Sequence, residues 1–482
     1  MNWTQLAFLL NQAIVIAAVV HVIMDNRQPV KTVAWALIIY FVPVAGIIAY
    51  LFFGVNTRKE RLVERRSLDQ LTKRSMLGFV EQHNLQLPEA HKPVIDLFIG
   101  QDFALPFSGN RVELLTSGYD FFPALLHDIS QARSHIHIDI YIFEDDALGR
   151  LVADALIARA REGVEVRVVF DDVGCWSVKN RFYERMREAG IEVEAFLPVR
   201  FPSFTSKANY RNHRKIIVID GRIGYVGGMN IARRYVKGIL VKAGRSADGR
   251  SVLPWRDTMA RIEGTGVYSL QRAFLIDWYF VDRTLLSDRK FYPKMAEEGS
   301  TLLQTVTSNP TSPSAVIMQG YVRLILAARR YVYIETPYFL PTDAVFFALK
   351  TAAATGVDVR LLVPRRSDTR VTEWASRSYL REAVEAGIRV SLFEAGFLHS
   401  KLMVVDDEVC TCGSTNVDFR SFENNFEANT FFYDNALSGR MRDIYLSDEQ
   451  QSTLVGKSDT IASPGFLVRL GEGLARLFSP LL

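Results

Sequence analysis

The sequence predicts an α/β protein of two similar halves. Each half carries βαβ layers on a mixed, largely parallel sheet, the two share one functional site, and a two-helix transmembrane hairpin precedes them. Three observations lead there. One short polar-then-apolar stretch occurs twice, at 212–230 and 399–416. Strand patterns alternate with helical patterns in the same order around both copies, the mark of βαβ units. Two long apolar runs open the chain.

The 482 residues exceed what one compact core accommodates, so two or three domains are expected. With 49% hydrophobic and 23% charged residues the chain is not disordered as a whole. A formal charge of +4 suits an anionic surface and does not call for nucleic acid. Cys175, Cys410 and Cys412 are few and odd in number, which speaks against a disulfide framework.

The apolar runs cover about Leu6 to Met24 and about Thr32 to Phe53, the second containing Pro43 and Gly46. Each is long enough for a bilayer core of roughly 30 Å. Arg58, Lys59, Arg61, Arg65 and Arg66 follow, and this positive charge puts the main domain and both termini on the cytoplasmic side. Residues 1–56 therefore read as the anchor and 57–105 as a basic helical linker. Residues 106–290 read as the first half, and 291–482 as the second half with an amphipathic tail.

Within the halves, Ile136–Phe143 and Val332–Phe339 are matching strand patterns. Gly163-Val164 parallels Gly356-Val357, and Gly190-Ile191 parallels Gly387-Ile388. Insertions rich in aromatic and basic residues occupy 199–211 and 235–253. They include Phe201, Phe204 and Lys207, and they suit a lipid headgroup region or a solvated loop. The tail from Phe466 to Leu482 fits the membrane interface or docking on its own domain, with docking favoured.

In both copies of the repeat, His and Lys stand two apart (His213 and Lys215, His399 and Lys401). An Asp follows five after the Lys (Asp220, Asp406), and an Asn ten after that (Asn230, Asn416). The residues between Lys and Asp are apolar and mostly β-branched, a buried strand on which positions two apart share a face. Imidazole supplies a nucleophile, base or acid near neutral pH. The lysine ammonium supplies a compact cation for a phosphate oxygen. Asn230, Ser414 and Asn416, beside Gly227-Gly228 and Gly413, are candidate phosphate donors.

The repeat resembles the signature of the phospholipase D superfamily, His-x-Lys-x4-Asp followed by Gly-Ser-x-Asn. Gly228 stands where Ser is usual. Flanking residues are similar to bacterial cardiolipin synthases: Tyr210-Arg211-Asn212, Trp255-Arg256-Asp257-Thr258, Thr336-Pro337-Tyr338-Phe339 and Asn416 to Phe422 with Asn425-Phe426-Glu427. So is the start of the chain, with Pro43, Gly46 and Tyr50 to Gly54. Arg233, Arg234 and Met259 depart from the pattern.

The resemblance implies a catalytic set of His213, Lys215, Asp220, His399, Lys401 and Asp406. It implies transphosphatidylation of two phosphatidylglycerol molecules to cardiolipin and glycerol through a phosphatidyl-histidine, at a bacterial inner membrane. No cofactor, metal or nucleic-acid partner is implied, and a homo-oligomer is compatible. A membrane phospholipase D that uses water is the alternative, as is an inactive membrane scaffold, which would have lost a His or Lys. A nuclease of the superfamily would be more basic and lack apolar helices.

A catalytic histidine needs its second ring nitrogen held. Asp220 and Asp406 each lie seven residues beyond their own His, roughly 20 Å along an extended strand. Other carboxylates must serve. By the resemblance these cross over, with Glu427 expected to orient His213 and Asp257 to orient His399.

Overall fold

The computed structural model describes residues 3–25, 29–54, 87–199, 210–242, 250–312, 314–456, 459, 461 and 463–481. Arg58 to Arg66 and the insertion residues Phe201, Phe204 and Lys207 lie outside the described residues.

Both halves use one order of elements. In the first, the strand Phe107–Leu115 leads through helix Gly118–Gln131 to the strand His135–Ile140. Helices Ala147–Arg161 and Asn180–Glu188 then alternate with the strands Glu165–Asp171 and Glu192–Phe196. The hairpin Lys215–Ile219 and Ile223–Gly227, the strand Met259–Glu263 and the helix Val267–Asp282 complete it. In the second, Thr301–Ser308, Tyr331–Glu335, Asp358–Pro364, Arg389–Phe393, Leu402–Val405, Val409–Gly413 and Glu427–Tyr433 repeat the strands, and Asn435–Gln450 is the closing helix.

Local chemistry sets the element ends. Asp146, Thr369 and Asp434 accept first-turn amides of the helices they precede. Gly163, Gly190, Gly356 and Gly387 have φ of 88° to 91° after matching helices, where a residue without Cβ turns the chain into the next strand.

The strands form one fifteen-stranded sheet with the halves joined at Phe107–Leu115 against Thr301–Ser308. The sheet is mixed, but its parallel share is smaller than the sequence reading expects. Among the described residues of this sheet only the pairs built by helical crossovers are parallel, around Glu165–Asp171 in one half and Asp358–Pro364 in the other. From each His-Lys strand onward the chain returns through hairpins, and short turns impose antiparallel pairing. Ile216, Val218 and Val226 share one buried layer with Leu402, Val404 and Cys412, so the halves are packed together through an apolar interface.

The 57–105 segment is not all linker. Helix Lys92–Asp102 buries Val94, Ile95 and Phe98 in the second half's core. Gln304 Nε2 donates to the Ile95 and Ala104 carbonyls at 3.1 and 2.8 Å.

The expected pair of spanning helices is also changed. Trp3–Asp25 is one helix, and its stretch Trp3–Met24 is long and apolar enough to cross a membrane. The second apolar run breaks into Pro29–Phe41 and Pro43–Phe53. Pro43 has no amide hydrogen to continue a helix. The second piece folds back on the first: Tyr50 and Trp35 have ring centroids 5.6 Å apart, and a Cβ on Gly46 would lie 2.8 Å from the Ile38 carbonyl. At 1.5 Å per residue the two pieces are about 20 and about 17 Å long, short of a bilayer core.

Candidate active site

The site begins with two backbone crossings. His213 N donates to the Phe426 carbonyl, and Phe426 N to the Arg211 carbonyl, both at 2.9 Å. In the other half Phe397 N donates to Pro254 O and His399 N to Arg256 O, both at 2.7 Å. Each histidine lead-in is thus stitched to the opposite half one residue before a carboxylate. That register delivers Glu427 to His213 and Asp257 to His399.

His213 Nδ1 lies 3.0 and 3.2 Å from the Glu427 oxygens, and His399 Nδ1 lies 2.6 Å from Asp257 Oδ2. Both carboxylates are fully buried. A proton on Nδ1 is the arrangement that satisfies them, which leaves Nε2 of each ring for chemistry. Lys401 Nζ also lies 2.8 Å from His399 Nδ1, but a protonated Nδ1 cannot accept. The bond Lys401 makes is the one to the His399 carbonyl. Lys215 does the same to the His213 carbonyl at 2.6 Å.

Burial shapes the charges. It lowers His213 to about 4 and His399 to about 3, with the lysines adding to the fall and Glu427 or Asp257 opposing it. Both imidazoles are therefore neutral at neutral pH. Burial also brings Lys215 down to about 7 and Lys401 to about 8, against the pull of Glu427 and Asp257. For Asp257 and Glu427 burial acts upward, but the neighbouring His and Lys outweigh it, and both carboxyls sit below their ordinary range. Lys401 acts on His213 and Lys215 on His399, so both pairs lie in one electrostatic field.

The remaining expected residues fall in other places. Asp220 and Asp406 are not brought into the site. They sit in the hairpin turns at the far ends of their strands, with φ of 54° and 57°. Asp220 accepts the amides of Arg133, Ser134 and His135, and Asp406 those of Arg329, Arg330 and Tyr331. This corrects their placement in the catalytic set: they pin the turn to the start of the neighbouring strand. Asn230 spends its oxygen on Ile142 N and its nitrogen on the Tyr235 hydroxyl, at 3.0 and 2.6 Å. Asn416 donates to Asp418 at 2.9 Å. Ser414 donates to Glu427 and accepts Ala428 N at 3.0 Å. Ser414 thus gives its proton to the carboxylate, whereas each asparagine amide has two N–H groups and the bonds to Tyr235 and Asp418 use one of them.

Gly228 takes the place of that serine in the first half, and the reason is visible. A Cβ there would fall within the Asp257 carboxylate, well inside contact distance. The shorter acid is tied by Thr258 N at 2.8 Å and occupies the space that Ser414 fills beside Glu427.

Sequence reasoning gave no role to the aromatic walls or to the buried braces. Tyr141 stands edge-on to His213 at 4.9 Å between centroids, and Trp255 lies 5.0 Å from His399. Behind His213, Arg214 pairs with Asp277 and donates to the Glu427 carbonyl at 3.1 Å. Behind His399, Arg256 pairs with Asp448 at 2.7 Å. Arg214 is marked in the sequence by adjacency to His213, and Trp255 and Arg256 by adjacency to Asp257 and by the resemblance.

A duplicated α/β fold with two His–Lys pairs at one inter-half site defines the class: a phospholipase D-type transferase. Residues 125–239 and 321–448 match the family described as "Cardiolipin synthase, PLD-like domain", and 13–54 match "Phospholipase_D-nuclease N-terminal". The chain is 36% identical to the major cardiolipin synthase of Bacillus subtilis, over 99% of this chain and 98% of that one. It is 34% identical to cardiolipin synthase 1 of Staphylococcus epidermidis over the whole of both. A phosphatidylserine synthase from Haemophilus influenzae shares the fold, with a TM-score of 0.62 at 15% identity over 81% of this chain and 99% of that one. The chain belongs to the cardiolipin synthases.

Proposed function

We propose that the chain makes cardiolipin by a two-step phosphatidyl transfer in which His213 is the nucleophile and His399 the acid and base. The observation that carries this is the crossed pair of contacts, Glu427 on His213 and Asp257 on His399. Each carboxylate fixes its ring so that Nε2 can react.

In the first step His213 Nε2 attacks the phosphorus of one phosphatidylglycerol. The bond from phosphorus to the glycerol oxygen breaks, and that oxygen takes a proton from His399 Nε2. Glycerol leaves and a phosphatidyl-histidine remains. In the second step the glycerol hydroxyl of another phosphatidylglycerol gives its proton to His399 Nε2 and attacks the same phosphorus. The P–N bond breaks and cardiolipin departs. Choosing His213 as nucleophile follows the superfamily resemblance. Burial holds His399 low and the lysines add to it; an anionic phosphodiester offsets the lysine charges, which raises that ring towards the protonated form the first step needs. Lys215 and Lys401 in turn balance charge on the phosphoryl oxygens.

For the anchor, we infer that Trp3–Met24 crosses the bilayer while the folded-back second run enters and leaves on one side. Positive charge at Arg58 to Arg66 favours that side being cytoplasmic. The amino-terminal end of Trp3–Met24 then lies on the opposite side from the catalytic part.

Purified protein incubated with phosphatidylglycerol alone, followed by mass spectrometry of the lipids, tests the reaction. Equal amounts of cardiolipin and glycerol are expected. Phosphatidic acid without cardiolipin would favour water as the acceptor.

A further inference from the structure

The helix Phe466–Leu477 is docked the wrong way round for a soluble protein. Its inner side is polar: Glu472, almost fully buried, pairs with the buried Arg381 of helix Arg370–Glu385. Arg476 reaches Glu382 at 2.9 Å, and its guanidinium lies 3.9 Å from the centre of the Tyr379 ring. The apolar side faces outward. Phe466 and Leu467 are 79% and 78% exposed, Leu477 is 73% exposed, and Leu470 and Leu474 lie between them at helical spacing.

The neighbouring helix extends this surface. Val371 and Trp374 are exposed beside it, and the Trp374 ring lies so close over Gly471 that a Cβ there would be 2.9 Å from it. A soluble helix buries such a stripe, and a buried ion pair under the opposite face fixes this one outward.

We propose that this face is a second membrane contact, seated in the headgroup and upper acyl region of an anionic phospholipid bilayer. Three features choose that occupant over a protein partner. Exposed Arg370 and Arg469 stand on the two helices that carry the apolar stripe, positive charge complementary to anionic headgroups. The same chain carries an apolar helix of spanning length, which keeps a bilayer adjacent. The surface also connects to the site. Asp368, just before helix Arg370–Glu385, accepts the Tyr338 hydroxyl at 2.7 Å, and Thr336 of the same turn accepts the Val417 amide at 3.1 Å, next to Asn416. Seating this face would hold the cleft at the depth where lipid headgroups lie.

The test needs no turnover, so its failure and a failure of the catalytic reading are separable. The three native cysteines are buried, so single exposed cysteines can be labelled. Full-length Leu470→Cys and Leu474→Cys, each checked for retained structure by circular dichroism, are labelled with a polarity-sensitive dye. They are reconstituted in phosphatidylglycerol-containing vesicles, with Glu188→Cys as the exposed control. The expected result is blue-shifted emission and several-fold stronger quenching by acyl-chain quenchers at 470 and 474 than at 188. Water-like emission with quenching equal to the control overturns the proposal. So does efficient 470-to-470 disulfide formation at high dilution in lipid, which would make a second copy the occupant.

Discussion

His399 Nδ1 lies 2.6 Å from Asp257 Oδ2, although the two residues are 142 positions apart and belong to opposite halves. His213 and Glu427 repeat the relationship at 3.0 Å. Neither half holds both a histidine and the carboxylate on its ring, so under the proposed mechanism neither half alone can react. The crossing is made by backbone bonds one residue before each acid.

Removing the charge from one crossing acid while keeping its shape tests this dependence. Glu427→Gln is expected to lower the rate of cardiolipin formation by at least about 100-fold, because the amide no longer stabilises an imidazolium and no longer fixes the tautomer. Asp257→Asn should act similarly. Initial rates, with circular dichroism to show retained structure, decide it, and a change of only a few-fold would mean that the carboxylates are merely structural.

Gly228→Ser would restore the residue usual in the signature, yet it is expected to inactivate. The new Cβ collides with the Asp257 carboxylate and pushes it off His399. Ser414→Ala should be milder: one hydrogen bond to Glu427 is lost, about 1 kcal/mol and so roughly fivefold in rate. Comparing the two initial rates checks the order, and a Gly228→Ser enzyme as active as Ser414→Ala would contradict the steric account.

The lysines predict a pH limb. Their folded pKa values, about 7 for Lys215 and about 8 for Lys401, lie below the ordinary lysine value, so each is cationic only below that pH. Loss of the cation removes phosphate stabilisation, so kcat/KM, which reports the free enzyme, should fall as pH rises through 7 to 8. The same shift acts oppositely on folding. The unfolded chain binds more protons between these values and about 10.4, so the lysines' contribution makes stability rise with pH in that window. Lys215→Arg should move the activity limb upward. A flat kcat/KM profile up to pH 9 would contradict the assignment.

The fold-back of the second apolar run predicts sidedness. Thr4→Cys should react with an impermeant maleimide on the membrane face opposite to Lys237→Cys, in sealed vesicles of known orientation. Labelling of both from one face would restore two full crossings.

Much of this was legible in the sequence because it is periodic or repeated. The His-x-Lys pairs, the glycines at 163, 190, 356 and 387, and the chain order of the two halves are local patterns with local causes. The crossing of Glu427 and Asp257 came from resemblance, with the reach of an extended strand ruling out Asp220 and Asp406. What the sequence concealed is set by three-dimensional competition for single groups. Asn230 looks like a phosphate donor, yet its oxygen accepts from Ile142 N and one of its two N–H groups goes to the Tyr235 hydroxyl. Ser414 looked like another, but it is held by Glu427. The run through Pro43 is continuous in hydropathy, and hydropathy does not report where a chain doubles back. The crossovers pointed to a largely parallel sheet because the hairpins after each His-Lys strand leave little trace beyond an Asp at a turn.

The central claim is one shared site with one covalent histidine. It is tested most directly by quenching the reaction with phosphatidylglycerol under alkaline conditions, where phosphohistidine-type bonds persist, and mapping the adduct by peptide mass spectrometry. The account predicts a phosphatidyl group on His213 alone, accumulating in His399→Asn if that variant still completes the first step, and absent from His213→Asn. An adduct on His399, or cardiolipin synthesis at near-normal rate by either variant, would contradict it.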